Sequence, residues 1–367
     1  MLEKYSYDNL EFISLKKAFV LIVFLLVGIS SCSDDSTIES TLPVVSHTVP
    51  EQIYWGGELT VHGNNLGLSS DSSYVLITAE ADSSIIVPAA DCIAWSGSRI
   101  IFTMPLHTVS GTLTVVVNGI KCDTFEIIVN KLPDLEMILI PAGQFQMGSD
   151  YGFTDEVPVH SVEITNDFFM SQFELTQVFW KSLHGNKPDN YISDNHPIHG
   201  LSWNDAAEMC NAMSVISEYD SCYIAAETSY ILDPHANGFR LPTEAEWEYA
   251  CRAGSTGDYS GDGILENMGY YNSNSGYKLF PVGEKKANAF GLHDTHGNVW
   301  EWCNDFYAAD YYTSDSVVDP SGPENGTRHV IRGGSVSNGE VYARSANRSF
   351  PDSDYSNCGL RIVRDLQ

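Results

Sequence analysis

The chain is short of positive charge. Its 367 residues hold 19 Lys and Arg against 48 Asp and Glu, a formal net charge of -29. No basic block exists that could follow a phosphate backbone, so no nucleic-acid partner is expected. The same excess of acid favours solubility and repels anionic surfaces. Zinc-site spacing is absent too: no CxxC pair and no Cys/His cluster has it. Long apolar runs are missing. The stretch Ala18 to Ile29 is too short for a comfortable membrane span. Long helical patterns are missing as well. In their place stand 29 Gly, 19 Tyr and 7 Trp, a composition that suits an irregular, loop-rich fold. The length suits two domains, and an apolar fraction of 43% allows each a packed core.

The N-terminus reads as a targeting segment over residues 1–31. Lys16-Lys17 precede the apolar run, which ends in Ile29-Ser30-Ser31-Cys32. This ending resembles a bacterial lipobox, in which an apolar and two small residues precede a lipid-bearing cysteine. Lipidation is therefore expected at Cys32, and the acyl group would hold the protein at a membrane without a spanning helix. Ser33-Asp34-Asp35 resemble the surface-export signals of Bacteroidetes lipoproteins. The expected location is the cell envelope, lipid-anchored at the outer membrane on its surface or periplasmic face. Residues 32–42 are Ser, Thr and Asp rich and read as a tether. An envelope location permits disulfides among the other seven cysteines. Cys92 with Cys122 is a candidate pair, and the connectivity of the rest stays open.

From Pro43 the pattern turns strand-like. Leu59 and Val61 alternate, then Leu113, Val115 and Val117, then Phe125, Ile127 and Val129. Asn118-Gly119 between the last two runs is a hairpin signal. Short strands at this spacing predict a small β-sandwich over residues 43–130. The order Pro50, Gly56-Gly57, Leu59-Thr60-Val61, Gly63, Leu66-Gly67, Trp95, Ile100, Pro105 and Gly111 resembles the IPT/TIG immunoglobulin-like family. That resemblance implies a spacer or binding module and carries over no catalytic residue.

A second domain is expected over residues 135–367. Thr176 and Ser202 suit helix N-caps, and Thr243-Glu244-Ala245-Glu246 is a capping box, with Gly254 placed to end its helix. Only short helices are predicted, separated by long Gly, Asn and Asp-rich stretches. Glu244, Glu246 and Glu248 read as helix-cap and surface residues. Arg240, Arg332, Arg348 and Arg361 read as fold-holding arginines, with Glu340, Asp352, Asp354 and the chain terminus as local partners for the C-terminal segment.

The ordered motifs of this domain are specific. They run from Pro141-Ala142-Gly143 and Phe145-Gln146-Met147-Gly148 through Arg240-Leu241-Pro242-Thr243-Glu244-Ala245-Glu246-Trp247-Glu248. They continue with Asn288-Ala289-Phe290-Gly291-Leu292, Gly297-Asn298-Val299-Trp300-Glu301-Trp302, Arg332-Gly333-Gly334-Ser335 and Gly359-Leu360-Arg361. The set resembles the formylglycine-generating (sulfatase-modifying factor) family. The resemblance implies an α+β, C-type-lectin-like fold with little regular secondary structure. Its sulfatase-modifying members oxidise a cysteine to formylglycine with O2 and a copper ion on two cysteines. Soft thiolates suit Cu(I), which explains the pair. Counting three and eight residues from Ser335 places Asn338 and Ala343 at those positions, and neither supplies a thiolate. No copper is expected.

The resemblance also places a calcium loop at Asn298 and Glu301, with the carbonyls of Gly297 and Val299, because hard oxygen donors suit Ca2+. A structural Ca2+ is thus expected. Ser335 and Trp302 match positions lining the family's substrate cleft, and Asn338 joins them. His293 and His296 read as hydrogen-bonded loop residues rather than a metal pair. The expectation is an envelope-anchored lipoprotein whose domain binds or assembles with a protein or glycan partner. The alternatives are a divergent oxidoreductase using other residues or another metal, and formylglycine generation itself.

Overall fold

The computed structural model describes residues 42–366 except 51, 55, 80–83, 106–107, 131, 185–187, 189 and 352–355, together with Lys4–Tyr5. The apolar run Ala18 to Ile29, Cys32 and the tether up to residue 41 lie outside the described residues. Among the described residues no helix is long and apolar enough to cross a membrane.

The first strands form two sheets around one core. Strands Val44–Val49, Glu58–Asn64, Arg99–Thr103 and Ala94–Trp95 are neighbours in that order and all antiparallel. The other sheet runs Gln52–Tyr54, Phe125–Asn130, Gly111–Val117, Tyr74–Ala79, Ser84–Pro88. Period-two alternation drives both. Leu59 and Val61 from one sheet meet Val75, Ile77, Leu113 and Val115 from the other. Asn118 and Gly119 turn the predicted hairpin with φ of 50° and 81°. At Gly63 a Cβ would lie 2.1 Å from the Val44 carbonyl, beside a bulge, so only glycine lets these strands pair there. Cys92 and Cys122 are both free thiols, unlike the candidate pairing. Cys122 Sγ is held by backbone instead, accepting from Val115 N at 2.9 Å and donating to the Asp123 carbonyl at 3.1 Å.

The second part of the chain is mixed α and β, with short strands and few helices. Strand Phe168–Ser171 sits between Met137–Ile140 and Val363–Asp365, so the two ends of this region close on one another. A second sheet orders Gly143–Met147, His160–Ile164 and Val317–Val318. A third places Trp300–Phe306 between His329–Arg332 and Cys358–Gly359.

The three longest helices among the described residues are α1 Gln177–His184, α2 Trp203–Ile216 and α3 Glu244–Arg252. Helices α2 and α3 begin with reciprocal capping boxes, Ser202 with Asp205 and Thr243 with Glu246. Thr176 forms an isolated bridge to Pro197 as helix α1 begins. Helix α3 ends at Arg252, and Ala253 and Gly254 follow with φ of 45° and 86°, which places the predicted glycine just past the helix end.

Candidate functional site

The site is built where the turn after strand His329–Arg332 meets strands Trp300–Phe306 and Cys358–Gly359. Gly333 and Gly334 take φ of 95° and 78°, a pair that side chains resist. A Cβ on Gly334 would stand 2.9 Å from the Tyr342 carbonyl oxygen, so glycine lets segment 340–343 fold back over the turn. Ser335 Oγ then donates to Asn338 Oδ1 at 2.6 Å, and the Asn338 N–H donates to the Ser335 carbonyl at 3.0 Å. Asn338 is thereby fixed on the lining of a 290 Å³ cavity, together with Trp300, Tyr342, Phe350 and Cys358.

Of the three residues expected to line a cleft, Asn338 does so. Ser335 and Trp302 are 1% and 2% exposed and lie behind it. Ser335 is spent on Asn338, and the Trp302 indole donates to the Leu201 carbonyl at 2.9 Å. Ala343 is buried against Leu265 and Tyr271 rather than on the cavity lining. Its carbonyl accepts from His296 Nδ1 at 2.7 Å. The Ser260 N–H donates to His296 Nε2 at 3.0 Å, so the ring is fixed as the Nδ1-protonated tautomer. His293 turns to the Lys285 carbonyl instead, and the two histidines serve different partners.

In the expected calcium loop the Asn298 and Glu301 side chains hold protein partners. The Asn298 amide donates to Glu174 at 2.7 Å and to the Phe280 carbonyl at 3.2 Å, while its Oδ1 accepts from Phe280 N. Glu301 accepts from the Trp247 indole at 2.7 Å and pairs with Arg361 at 2.9 Å. Sequence reasoning missed Glu174 and Asp294, which stand in the same field. Burial, then Asp294 and Glu301, push Glu174 well above the usual carboxylate range. Burial raises Asp294 to about 6. Asp294 Oδ2 accepts from Gly283 N, and its buried Oδ1 has no hydrogen-bond partner. Three buried carboxylates thus surround one guanidinium. Glu174 and Glu301 each spend both oxygens on protein donors. Among the described residues no three His, Cys, Asp or Glu side chains already converge as a metal shell.

The surrounding frame is ionic and enclosed. Glu244, Glu246 and Glu248 were expected on the surface and are buried instead. Glu244 and Glu248, one turn apart on helix α3, face arginines from the C-terminal segment. Arg348 grips Glu244 at 2.7 and 2.8 Å, and Arg332 pairs with Glu248. Burial alone would raise Glu248, but Arg252 and Arg332 outweigh it and hold it below the usual value. Arg344 pairs with Glu156 at 2.5 Å, and Arg240 grips Glu246 at 2.7 and 2.8 Å. Glu340 is therefore not the partner: the carboxylates come from distant parts of the chain.

The sulfatase-modifying factor enzyme 1-like domain model matches residues 129–366. The chain belongs to that family. Among its relatives is a protein of Paenibacillus barcinonensis named chaperone protein LppX, 30% identical over 269 residues that span 62% of this chain and 89% of that one. The formylglycine-generating enzyme of Streptomyces coelicolor is 35% identical over 304 residues, covering 62% and 88%. Among solved structures, Treponema denticola variable protein 1 superposes with a TM-score of 0.58 at 30% identity, covering 64% of this chain and 96% of its own. Family members therefore carry different roles on one scaffold, and activity has to be argued from the site.

Proposed function

We propose that this family member is an envelope-anchored lipoprotein that binds or assembles with a partner and does not oxidise cysteine. One observation carries the reading: Asn338, locked by Ser335, stands where the family resemblance puts a copper-binding cysteine. An amide oxygen and the methyl of Ala343 cannot replace a pair of soft thiolates. Cys358 adds one thiol to the cavity lining, and a two-thiolate site needs a second. The chaperone name of the Paenibacillus relative speaks for binding, and the name of the Streptomyces relative for oxidation. The residue at 338 weighs against the latter. The divergent oxidoreductase draws no support from the described groups.

In this reading the first strands form an immunoglobulin-like spacer of the IPT/TIG kind, supported by two sheets around one core. The partner is a protein or glycan of the cell envelope, with the membrane reached through lipid on Cys32. A structural Ca2+ belongs to the proposal where the resemblance puts it, at Asn298 and Glu301 with the carbonyls of Gly297 and Val299, on the ground that these are hard oxygen donors.

The test incubates purified protein with copper, reductant and a Cys-containing sulfatase peptide. No aldehyde product is expected by mass spectrometry, and its appearance would reverse the reading. Metal analysis of the same sample checks the cation. Ca2+ should be retained and a chelator should lower the melting temperature; the absence of both removes the Ca2+.

A further inference from the structure

A second cavity, of 780 Å³, shares no lining residue with the one at Asn338. Its size lies within the range of small-ligand sites. One wall is aromatic. Phe145, on strand Gly143–Met147, and Tyr249, on helix α3, have ring centroids 5.4 Å apart, and Phe290 lies 5.7 Å from Tyr249. The other wall is the turn from Ala253 to Asp258. Arg252 ties the two walls at the base, donating to the Gly148 carbonyl at 3.0 Å and to the Gly257 carbonyl at 3.2 Å. Its charge is taken by Glu248 at 2.7 Å.

The lining excludes some ligands. No other Lys or Arg lines this cavity among the described residues, while Asp150 and Asp258 do. An anion would meet like charge and no free cation. A peptide side chain would seek an aliphatic pocket, and Val159 is the one large aliphatic residue on the lining. What remains is aromatic surface interleaved with amides and hydroxyls.

Two side-chain groups on the lining are left unspent by the fold. Tyr151 lines the cavity while 97% exposed, its ring unpacked in water. Aromatic rings with a polar tip are enriched where ligands and partners dock. Ser255 Oγ is buried on the lining with no hydrogen-bond partner, and a native structure leaves few such groups unmet.

We propose that this cavity binds an uncharged oligosaccharide. The C–H faces of the sugar rings lie on Tyr151 and the aromatic wall, where positively polarised hydrogens meet the negative ring face. The sugar hydroxyls bond to the Gln144 and Gln146 amides, which donate and accept, and donate to the Asp150 and Asp258 carboxylates.

The full chain is titrated with cello-, xylo-, manno-, malto- and chitotetraose, followed by calorimetry and intrinsic fluorescence. At least one should saturate at millimolar concentration or below. Tyr151→Ala should weaken that binding about tenfold, equivalent to about 1.4 kcal/mol. The exposed position leaves the fold intact, which near-ultraviolet circular dichroism checks. Asn338→Ala should leave the binding unchanged, so this result is separate from the copper assay. The proposal is overturned if no saccharide saturates, or if a tetralysine peptide binds in their place. It is also overturned if Asn338→Ala abolishes binding while Tyr151→Ala preserves it.

Discussion

Arg332, Arg344, Arg348 and Arg361 each end on a carboxylate brought from another part of the chain. Arg332 is fully buried, with Glu248 at its tip, Glu244 at 3.4 Å and the Trp247 ring 5.2 Å from its guanidinium carbon. Removing one partner of such a pair leaves a charge stranded away from water. Arg332→Met should therefore cost about 3 to 5 kcal/mol of unfolding free energy in urea titration. Arg332→Met with Glu248→Met should cost less than the two single changes added together, because the partners share one network.

His329 is the residue to watch with pH. Its ring stacks on Trp203 at 3.8 Å and lies 4.4 Å from Phe306. Burial lowers it from 6.5 to about 4. The folded ring stays neutral where the unfolded one takes up a proton. Stability from this group is complete above the unfolded value and falls as pH drops towards the folded one. Between about pH 7 and about pH 5 the loss should be about 2 kcal/mol. His329→Gln should flatten that part of the stability profile, and a profile unchanged by the substitution would refute the assignment.

At the scale of elements, the capping boxes were legible because their logic is local. Thr243 and Glu246 satisfy each other's helix-end amides whatever packs around them. Thr243→Ala should cost about 1 kcal/mol. Glu246→Ala should cost more, since Glu246 also grips Arg240 at two points. Equal costs in thermal unfolding would mean that the ion pair contributes nothing. The alternation of Leu59 and Val61, and the Asn118-Gly119 hairpin, were readable for the same reason. The face of helix α3 was not. Three glutamates in nine residues look like a solvated helix until the C-terminal arginines arrive opposite them. The spacing of Glu244 and Glu248, one turn apart, was the signal available. Its partners lie 84 and 104 residues away, beyond any local pattern.

At the scale of the whole molecule, one part of the expectation rests on residues outside those described. The anchor rests on Cys32. Palmitate fed to expressing cells should label the wild-type protein and not Cys32→Ala. Equal labelling of both would remove the lipid and leave an ordinary secreted chain. The remaining architecture joins a two-sheet strand region to a family domain whose first and last strands, Met137–Ile140 and Val363–Asp365, flank Phe168–Ser171. That closure ties the C-terminal motifs to the start of the domain. It holds Arg361 where it reaches both Glu301 and the Ser171 carbonyl.

Sequence by itself determined the family, the alternating strands, the caps and the absence of a thiol at residue 338. These depend on residue identity, on order and on contacts within a few positions. Tertiary structure decided which groups face one another. It buried Ser335 and Trp302 behind Asn338 and turned the α3 glutamates inward to arginine. It gathered Glu174, Asp294 and Glu301 around Arg361 and raised the cavity beside Tyr151. Each of these outcomes needs long-range closure of the chain. Burial changes the energy of a charge or a ring only once that closure has removed the water around it.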